Sequence, residues 1–203
     1  MTPHNGVDER KRSTLRRFAA VGAAAPLAAF SESAAASDND VRNAITGYLS
    51  TTPGAHFSKI RDDLQLGTGE AQHHLRRLEE AGAVERYSDG DYKRFVLAGR
   101  FDEFEKTALG YLRRSTARGM IIELLRNSAV SANDLASILD VSAPTISKYA
   151  GELEAAGLFS RDDGYTLEHP ETVLLLLVRY AESFGTRARS FVEDADTVVR
   201  YVG

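Results

Sequence analysis

The sequence contains no cysteine in its 203 residues. This absence excludes disulfides, thiolate metal sites, iron–sulfur clusters and cysteine nucleophiles, and it agrees with a reducing compartment. A small secreted fold that depends on disulfides is therefore excluded, and we expect a cytoplasmic protein.

The sequence also lacks an excess of positive charge, because its 25 Lys and Arg residues are outnumbered by 29 Asp and Glu, and lysine occurs only at positions 11, 59, 93, 106 and 148. Taken alone, this balance argues against a nucleic-acid partner, since phosphate binding needs local positive charge. Arginine dominates the basic residues and is interleaved with Asp and Glu, which favours a salt-rich cytoplasm. The position of the charges therefore matters more than their sum.

The sequence lacks the short motifs of common enzymes. It has no phosphate-binding glycine loop, no nucleophile elbow and no paired metal-binding histidines on one helical face. The adjacent pairs Asp62-Asp63 and Glu79-Glu80 diverge on a helix and are better explained as solvated charge. We expect neither an enzyme nor a cofactor.

No hydrophobic run is long enough to cross a membrane as a helix. Arg16-Arg17-Phe18 and the apolar run at 19–30 are similar to a twin-arginine export signal, but the run is shorter than the roughly 18 residues that a span requires. Residues 1–39 therefore form a segment of signal-like or disordered character. A frayed or lightly packed helix is our first interpretation, a vestigial or tethering segment the second, and export the third.

With 43% hydrophobic residues, the rest of the chain can bury ordinary cores. Residues 40–99 are predicted to form a first domain, with apolar helical spacing at 41–50, a short helix at 57–64 and a third helix from Gly67-Thr68 to Gly82. Two apolar stretches then flank the turn Ser88-Asp89-Gly90-Asp91, which predicts a β-hairpin. Three helices followed by a hairpin are the order of a winged helix-turn-helix.

The second half of the sequence repeats this pattern. Leu78-Glu79-Glu80-Ala81-Gly82 corresponds to Leu153-Glu154-Ala155-Ala156-Gly157 at an offset of 75 residues, and the same offset takes the apolar positions of the first domain onto apolar positions of the second. We therefore expect a second winged helix-turn-helix at 116–168, with a shorter hairpin.

Helical periodicity at 100–115 predicts a helix that connects the two domains, and residues 169–203 should form C-terminal helices. The predicted last helix, 186–201, places Phe191, Ala195, Val198 and Val202 on one stripe. Two such helices exceed the needs of a winged helix, so they either cover the second domain or form a dimer interface. The expected fold class is mainly α with small β-hairpin wings: two tandem winged helix-turn-helix domains plus C-terminal helices.

The third helix of each domain is the candidate recognition helix, because one of its faces is apolar and the opposite face carries hydrogen-bond donors. In the first domain the inward stripe is Ala71, His74, Leu75 and Leu78, and in the second it is Ile146, Tyr149, Ala150 and Leu153. The candidate DNA contacts lie on the outward faces, at the preceding helix and on the first wing: Lys59, Thr68, Gln72, His73, Arg76, Arg77, Lys93, Arg94, Thr145, Ser147 and Lys148.

These motifs resemble winged-helix regulators of the ArsR and MarR type, and more closely the tandem winged-helix regulators of haloarchaea. The likeness rests on residues 56–60, 72–79 with Ala81-Gly82, and 143–148. It implies sequence-specific binding to double-stranded DNA, usually as a dimer. We expect a homodimer through the C-terminal helices that places the recognition helices about 34 Å apart. Metal-sensing relatives use Cys and His ligands that are absent here, which argues against a metal sensor.

Three alternatives stay open. The outward charges could form a merely solvated face, paired with Glu79 and Glu80. The winged helices could bind protein instead of DNA, in a module that the N-terminal segment tethers to a membrane. A monomer could also use its two domains as a pseudo-dimer. A metal site built from His56, His73 and His74 is disfavoured, because adjacent helical residues point about 100° apart.

Overall fold

The computed structural model describes residues 5–22, 38–162 and 164–194. The chain divides into two compact units, Met1–Phe101 and Asp102–Gly203. The architecture is mainly α-helical with small antiparallel strands, which confirms the predicted fold class at the level of helices and hairpins.

The first unit contains four helices and a three-stranded sheet within its described residues. They follow the order α1 (Asn5–Gly22), α2 (Asp38–Thr51), β1 (Ala55–His56), α3 (Phe57–Asp63), α4 (Thr68–Glu80), β2 (Val84–Asp89) and β3 (Tyr92–Leu97). Helices α2, α3 and α4 and the β2–β3 hairpin lie within about three residues of their predicted bounds.

The hairpin gains a third strand that the sequence did not predict. β1 pairs with β3, so the sheet order is β1-β3-β2, and Ala55 lies opposite Phe95. A two-residue strand carries no alternation that sequence periodicity could detect. Its pairing ties the segment before α3 to the hairpin.

Helix α1 packs against α2 and takes part in the core of the first unit. Leu15 is only 2% exposed, and the Phe18 ring meets the Tyr48 ring edge-on at 5.2 Å between centroids. The expectation of a frayed or lightly packed helix is therefore wrong for these residues, because their apolar side chains complete the core. Most of the apolar run, at 23–30, lies outside the described residues. Among the helices that the structure describes, none is long and apolar enough to span a membrane.

The second unit has six helices and two short strands within its described residues. They are α5 (Glu103–Leu112), α6 (Ser115–Arg126), α7 (Ala132–Leu139), α8 (Ala143–Ala155), β4 (Phe159–Ser160), β5 (Thr166–Leu167), α9 (Pro170–Phe184) and α10 (Thr186–Glu193). Helix α8 begins 75 residues after α4 and has the same length, 13 residues. The β4–β5 strands have two residues each, shorter than those of the first hairpin.

Helix α5 corresponds to the predicted connecting helix and packs against α6 and α9. The Tyr111 hydroxyl donates to the backbone oxygen of Glu152 at 3.0 Å, and Arg113 Nη1 donates to the backbone oxygen of Ser183 at 2.7 Å. Because these bonds reach α8 and α9, α5 belongs to the fold of the second unit.

The C-terminal helices begin where proline and glycine predict. Pro170 occupies the first turn of α9, and Gly185, with φ 98°, separates α9 from α10. Helix α10 ends at Glu193, with Phe191 fully buried. The other members of the predicted stripe, Ala195, Val198 and Val202, lie outside the described residues.

Candidate nucleic-acid interface

Helix α4 is amphipathic, and its two faces divide as the sequence predicted. Ala71, His74, Leu75 and Leu78 are buried in the core of the first unit. Gln72, His73, Arg76 and Arg77 are exposed on the opposite face. The core side therefore fixes the rotation of the helix, and four long polar side chains point to solvent as a group.

The first turn of α4 is fixed by Glu70. Its Oε2 accepts from the backbone N–H of Gly67 at 3.1 Å and from Lys11 Nζ of α1 at 2.8 Å. Burial raises the pKa of Glu70, but the hydrogen bonds from Lys11 and Gly67 outweigh it and hold the pKa below its usual value. Glu70 thus stays ionised and paired, while the neighbouring Thr68 remains exposed.

A groove of about 410 Å³ separates α4 from the β2–β3 hairpin. Apolar side chains of Phe57, Leu75 and Phe95 line it, together with charged side chains that include Arg76 and Lys93. The recognition-helix candidate and the wing candidate therefore border one concave, cation-rich surface.

Helices α3 and α4 and the β2–β3 hairpin, which border this groove, lie within the residues that a family comparison matches. Residues 39–109 match the family model HTH_HVO_0163_N, an N-terminal HTH domain. The match begins in α2, includes α3, α4 and both hairpin strands, and ends within α5. No curated protein matches the chain.

The two basic residues predicted on the wing face opposite sides of the hairpin. Lys93 is exposed, and its Nζ contacts Ser88 Oγ at 2.8 Å. Arg94 is 3% exposed; it pairs with Asp89 and donates from Nη1 to the backbone oxygen of Gly54 at 2.9 Å. The prediction that Arg94 contacts DNA is therefore wrong. Side chains alternate across a strand, so two consecutive residues cannot share a face.

Arg86 is a wing residue that sequence reasoning missed. It lies opposite Phe95 in the hairpin register and lines the groove, on the same face as Lys93. It is half exposed, and its Nε is 3.4 Å from Glu79 Oε1. The signal that could have found it is the register, because pairing the two strands around the predicted turn places Arg86 opposite Phe95.

His74 lies behind the exposed face of α4, at 3% exposure. Its Nδ1 has no hydrogen-bond partner within the described parts of the chain, and burial lowers its pKa. The rings of His73 and His74 meet edge-on, 5.2 Å apart. Among the described residues, no group of three His, Asp or Glu side chains is placed to hold a metal ion.

Lys59 lies on α3, half exposed, and its Nζ contacts Asp63 Oδ2 at 2.9 Å. That carboxylate oxygen also accepts from the buried Tyr48 hydroxyl at 2.7 Å. The buried Tyr48 therefore fixes the position of Asp63, and Asp63 holds Lys59 at the surface. The ammonium group of Lys59 remains accessible to solvent.

Helix α8 offers a less basic outward face than α4. Ser142 caps the helix and accepts from the backbone N–H of Thr145, which is half-buried. Ser147 and Lys148 are exposed, and Lys148 Nζ lies 3.7 Å from a carboxylate oxygen of Glu152. The candidate residues of α8 thus supply one cation, where the outward face of α4 supplies two arginines.

Proposed function

We propose that the protein is a transcriptional regulator that binds double-stranded DNA sequence-specifically, with α4 in the major groove and the β2–β3 hairpin against the backbone. The observation that carries the proposal is the exposed face formed by Gln72, His73, Arg76 and Arg77, on a helix whose other face is buried. The match of residues 39–109 to an HTH domain supports it. The proposed activity is binding, in the cytoplasm, where the chromosome is accessible.

The position of each exposed side chain along α4 suggests whether it contacts a base or a phosphate. Thr68, Gln72 and His73 lie in the N-terminal half of the helix, which most often reaches base edges in helix-turn-helix proteins. Glutamine can pair with adenine through two hydrogen bonds. Arg76 and Arg77 lie one turn later, where a guanidinium group reaches either guanine or phosphate.

The ion pair between Arg76 and Glu80 does not prevent this contact. The two groups are 3.3 Å apart, and their side chains are 76% and 67% exposed. An exposed pair at this helical spacing contributes about 0.3–0.5 kcal/mol, whereas a good contact to a base contributes about 1–3 kcal/mol. Arg76 is therefore expected to exchange Glu80 for DNA.

The second unit is proposed to be a second winged helix-turn-helix with a weaker DNA contact. Helix α8 carries the candidates Ser147 and Lys148 on its exposed side, and the half-buried Thr145 lies at the edge of that side. With one cation, it attracts phosphate less than α4 does. We assign it a supporting role beside the first unit.

We also propose that the protein is a homodimer through α9 and α10. Leu175 is 61% exposed and Val178 is 43% exposed, three residues apart on one face of α9. Two large exposed apolar side chains on one helical face favour contact with a second copy of the chain. A symmetric dimer would place two copies of α4 about one helical turn of DNA apart, roughly 34 Å.

The first experiment measures binding of the full chain to a pool of random duplexes at two salt concentrations. The whole chain is needed, because Leu15 of α1 belongs to the core. A double variant, Arg76→Ala with Arg77→Ala, is compared with a control, Arg100→Ala, which removes an exposed arginine outside α4, the hairpin and the two helices proposed to form the dimer.

We expect the wild type and the control to enrich the same sequences and to bind more weakly as salt rises. The α4 variant should lose the enrichment. Its salt slope, the slope of the logarithm of the binding constant against the logarithm of the salt concentration, should become less steep by about 0.9 for each phosphate contact removed. Absence of duplex binding at low salt would refute the proposal and favour the protein-interaction module.

Light scattering after size-exclusion chromatography tests the dimer. The wild type should have the mass of two chains, and Leu175→Glu with Val178→Glu should have the mass of one. Substituting exposed residues keeps the core intact, so far-UV circular dichroism should not change. A wild-type chain that stays monomeric on DNA would favour the pseudo-dimer instead.

A further inference from the structure

Helix α1 concentrates positive charge in a chain whose net charge is negative. Lys11, Arg12, Arg16 and Arg17 lie within seven residues, whereas the formal net charge of the chain is -4. Arg16 and Arg17 are exposed. The proposed function assigns no role to this charge.

The apolar face of α1 is already occupied by the protein. Leu15 and Ala19 are 2% and 6% exposed, and Phe18 packs on the Tyr48 ring. An amphipathic helix that binds a lipid surface inserts its apolar face into the bilayer. Among the α1 side chains that the structure describes, at 9 and 11–20, the large apolar ones are turned into the core and Arg16 and Arg17 face solvent. This arrangement favours a nucleic-acid partner over a lipid surface.

Lys11 places α1 beside the N-terminal turn of α4. Its Nζ contacts both carboxylate oxygens of Glu70, at 3.0 and 2.8 Å, and Glu70 lies two residues before Gln72. Arg16 is five residues further along α1, about 7.5 Å along the helix axis. The cationic helix therefore lies next to the end of α4 that is proposed to enter the groove.

We propose that α1 is a second DNA-binding element, which contacts the phosphate backbone beside the groove that α4 occupies. This inference rests on the proposed function of α4. The major groove is about 12 Å wide and is bordered by the two phosphate strands, so an element that flanks the N-terminal turn of a helix in the groove is within reach of one of those strands. Arg16 and Arg17 supply the contacts, while Lys11 neutralises Glu70 at the entry to the groove.

The test is duplex binding by the full chain carrying Arg16→Gln and Arg17→Gln. Glutamine retains helix propensity, and both positions are exposed, so the fold should persist. Arg100→Gln is the control for an exposed arginine outside α1, α4 and the proposed dimer interface, and Glu9→Gln removes an exposed negative charge from α1 itself. Circular dichroism and thermal melting of each variant establish that it is folded.

We expect the salt slope of the α1 variant to be less steep than that of the wild type by about 1.8. Between 50 and 200 mM salt, the affinity of the variant should therefore fall by a factor about twelvefold smaller than the affinity of the wild type. It should bind more weakly at low salt and still enrich the same sequences, because phosphate contacts carry no base information. Arg100→Gln should match the wild type, and Glu9→Gln should bind as tightly or more tightly.

The outcomes separate this inference from the function on which it rests. If the α1 variant keeps the wild-type slope while Arg76→Ala with Arg77→Ala loses binding, α1 is not a DNA contact and the function of α4 stands. If the wild type binds no duplex, both proposals fail. Binding to anionic phospholipid vesicles that the α1 variant loses, with an unchanged DNA slope, would overturn the inference in favour of a membrane surface.

Discussion

Replacing Arg94 with methionine separates its structural role from DNA binding. Methionine keeps an unbranched apolar stem but removes the guanidinium group, which is 3% exposed and is paired with Asp89. It also removes the donor to the backbone oxygen of Gly54, 2.9 Å away. Lys93→Met, one residue earlier on the exposed face, is the matched control.

The size of the loss follows from the burial of both partners. Removing one member of a buried ion pair costs about 3–5 kcal/mol, because the remaining charge loses the attraction that offset its desolvation. Asp89 retains 11% exposure, so water can partly solvate it and the lower end of that range applies. We expect Arg94→Met to lower the free energy of unfolding of the first unit by about 3 kcal/mol, which lowers its melting temperature by about 12–24 °C.

The assay is chemical unfolding of the full chain followed by circular dichroism, with Asp89→Asn and the double variant completing a thermodynamic cycle. The double variant should lose at least about 1 kcal/mol less than the sum of the single losses. Lys93→Met should change stability by less than about 0.5 kcal/mol and lower the salt slope of DNA binding by about 0.9. Equal stability of Arg94→Met and Lys93→Met would refute the assignment of Arg94 to the core.

Three further predictions concern stability. Burial lowers the pKa of His74 in the folded state. As the pH falls, the unfolded state therefore takes up a proton on this histidine at a higher pH than the folded state does, and the free energy of unfolding should fall below about pH 6.5. His74→Leu should flatten that part of the profile, and an unchanged profile would contradict this cause. Gly157 has φ 70°, so Gly157→Ala should cost about 1–2 kcal/mol in thermal unfolding, whereas Gly151→Ala, in open space within α8, should gain about 1 kcal/mol. The opposite order would refute the backbone argument. Ser131 caps α7, and Ser131→Ala should lower stability by about 1 kcal/mol in urea; a neutral result would show that the cap contributes nothing.

The stripes of α4 and α8 could be read from the sequence, because a helix repeats every 3.6 residues and only one rotation buries all the apolar positions. Ala71 and Leu75 in α4, and Ile146 and Ala150 in α8, are buried as predicted, whereas Tyr149, predicted on the same α8 stripe, is only partly buried. The outward residues follow from the same rotation. This part of the candidate site was therefore available from local periodicity alone.

The wing was only half predictable from residue types. The turn residues predict the hairpin correctly. Lys93 and Arg94 were predicted to form one basic patch, but consecutive side chains of a strand point to opposite faces of the sheet. Register places Arg86, not Arg94, on the face that carries Lys93. Both facts follow from strand alternation and from the register that the turn imposes, so local sequence contained them and residue type alone did not.

Local sequence specifies the helices, the first hairpin and the outward face of α4, because each depends on periodicity, caps and turns within a few residues. Tertiary packing was needed to establish that Leu15 of α1 completes the first core, that Lys11 meets Glu70, and that Arg94 is buried beside Asp89. Those contacts join segments whose local sequence is equally compatible with an exposed position. Whether a basic side chain faces solvent or an internal carboxylate depends on which elements pack around it.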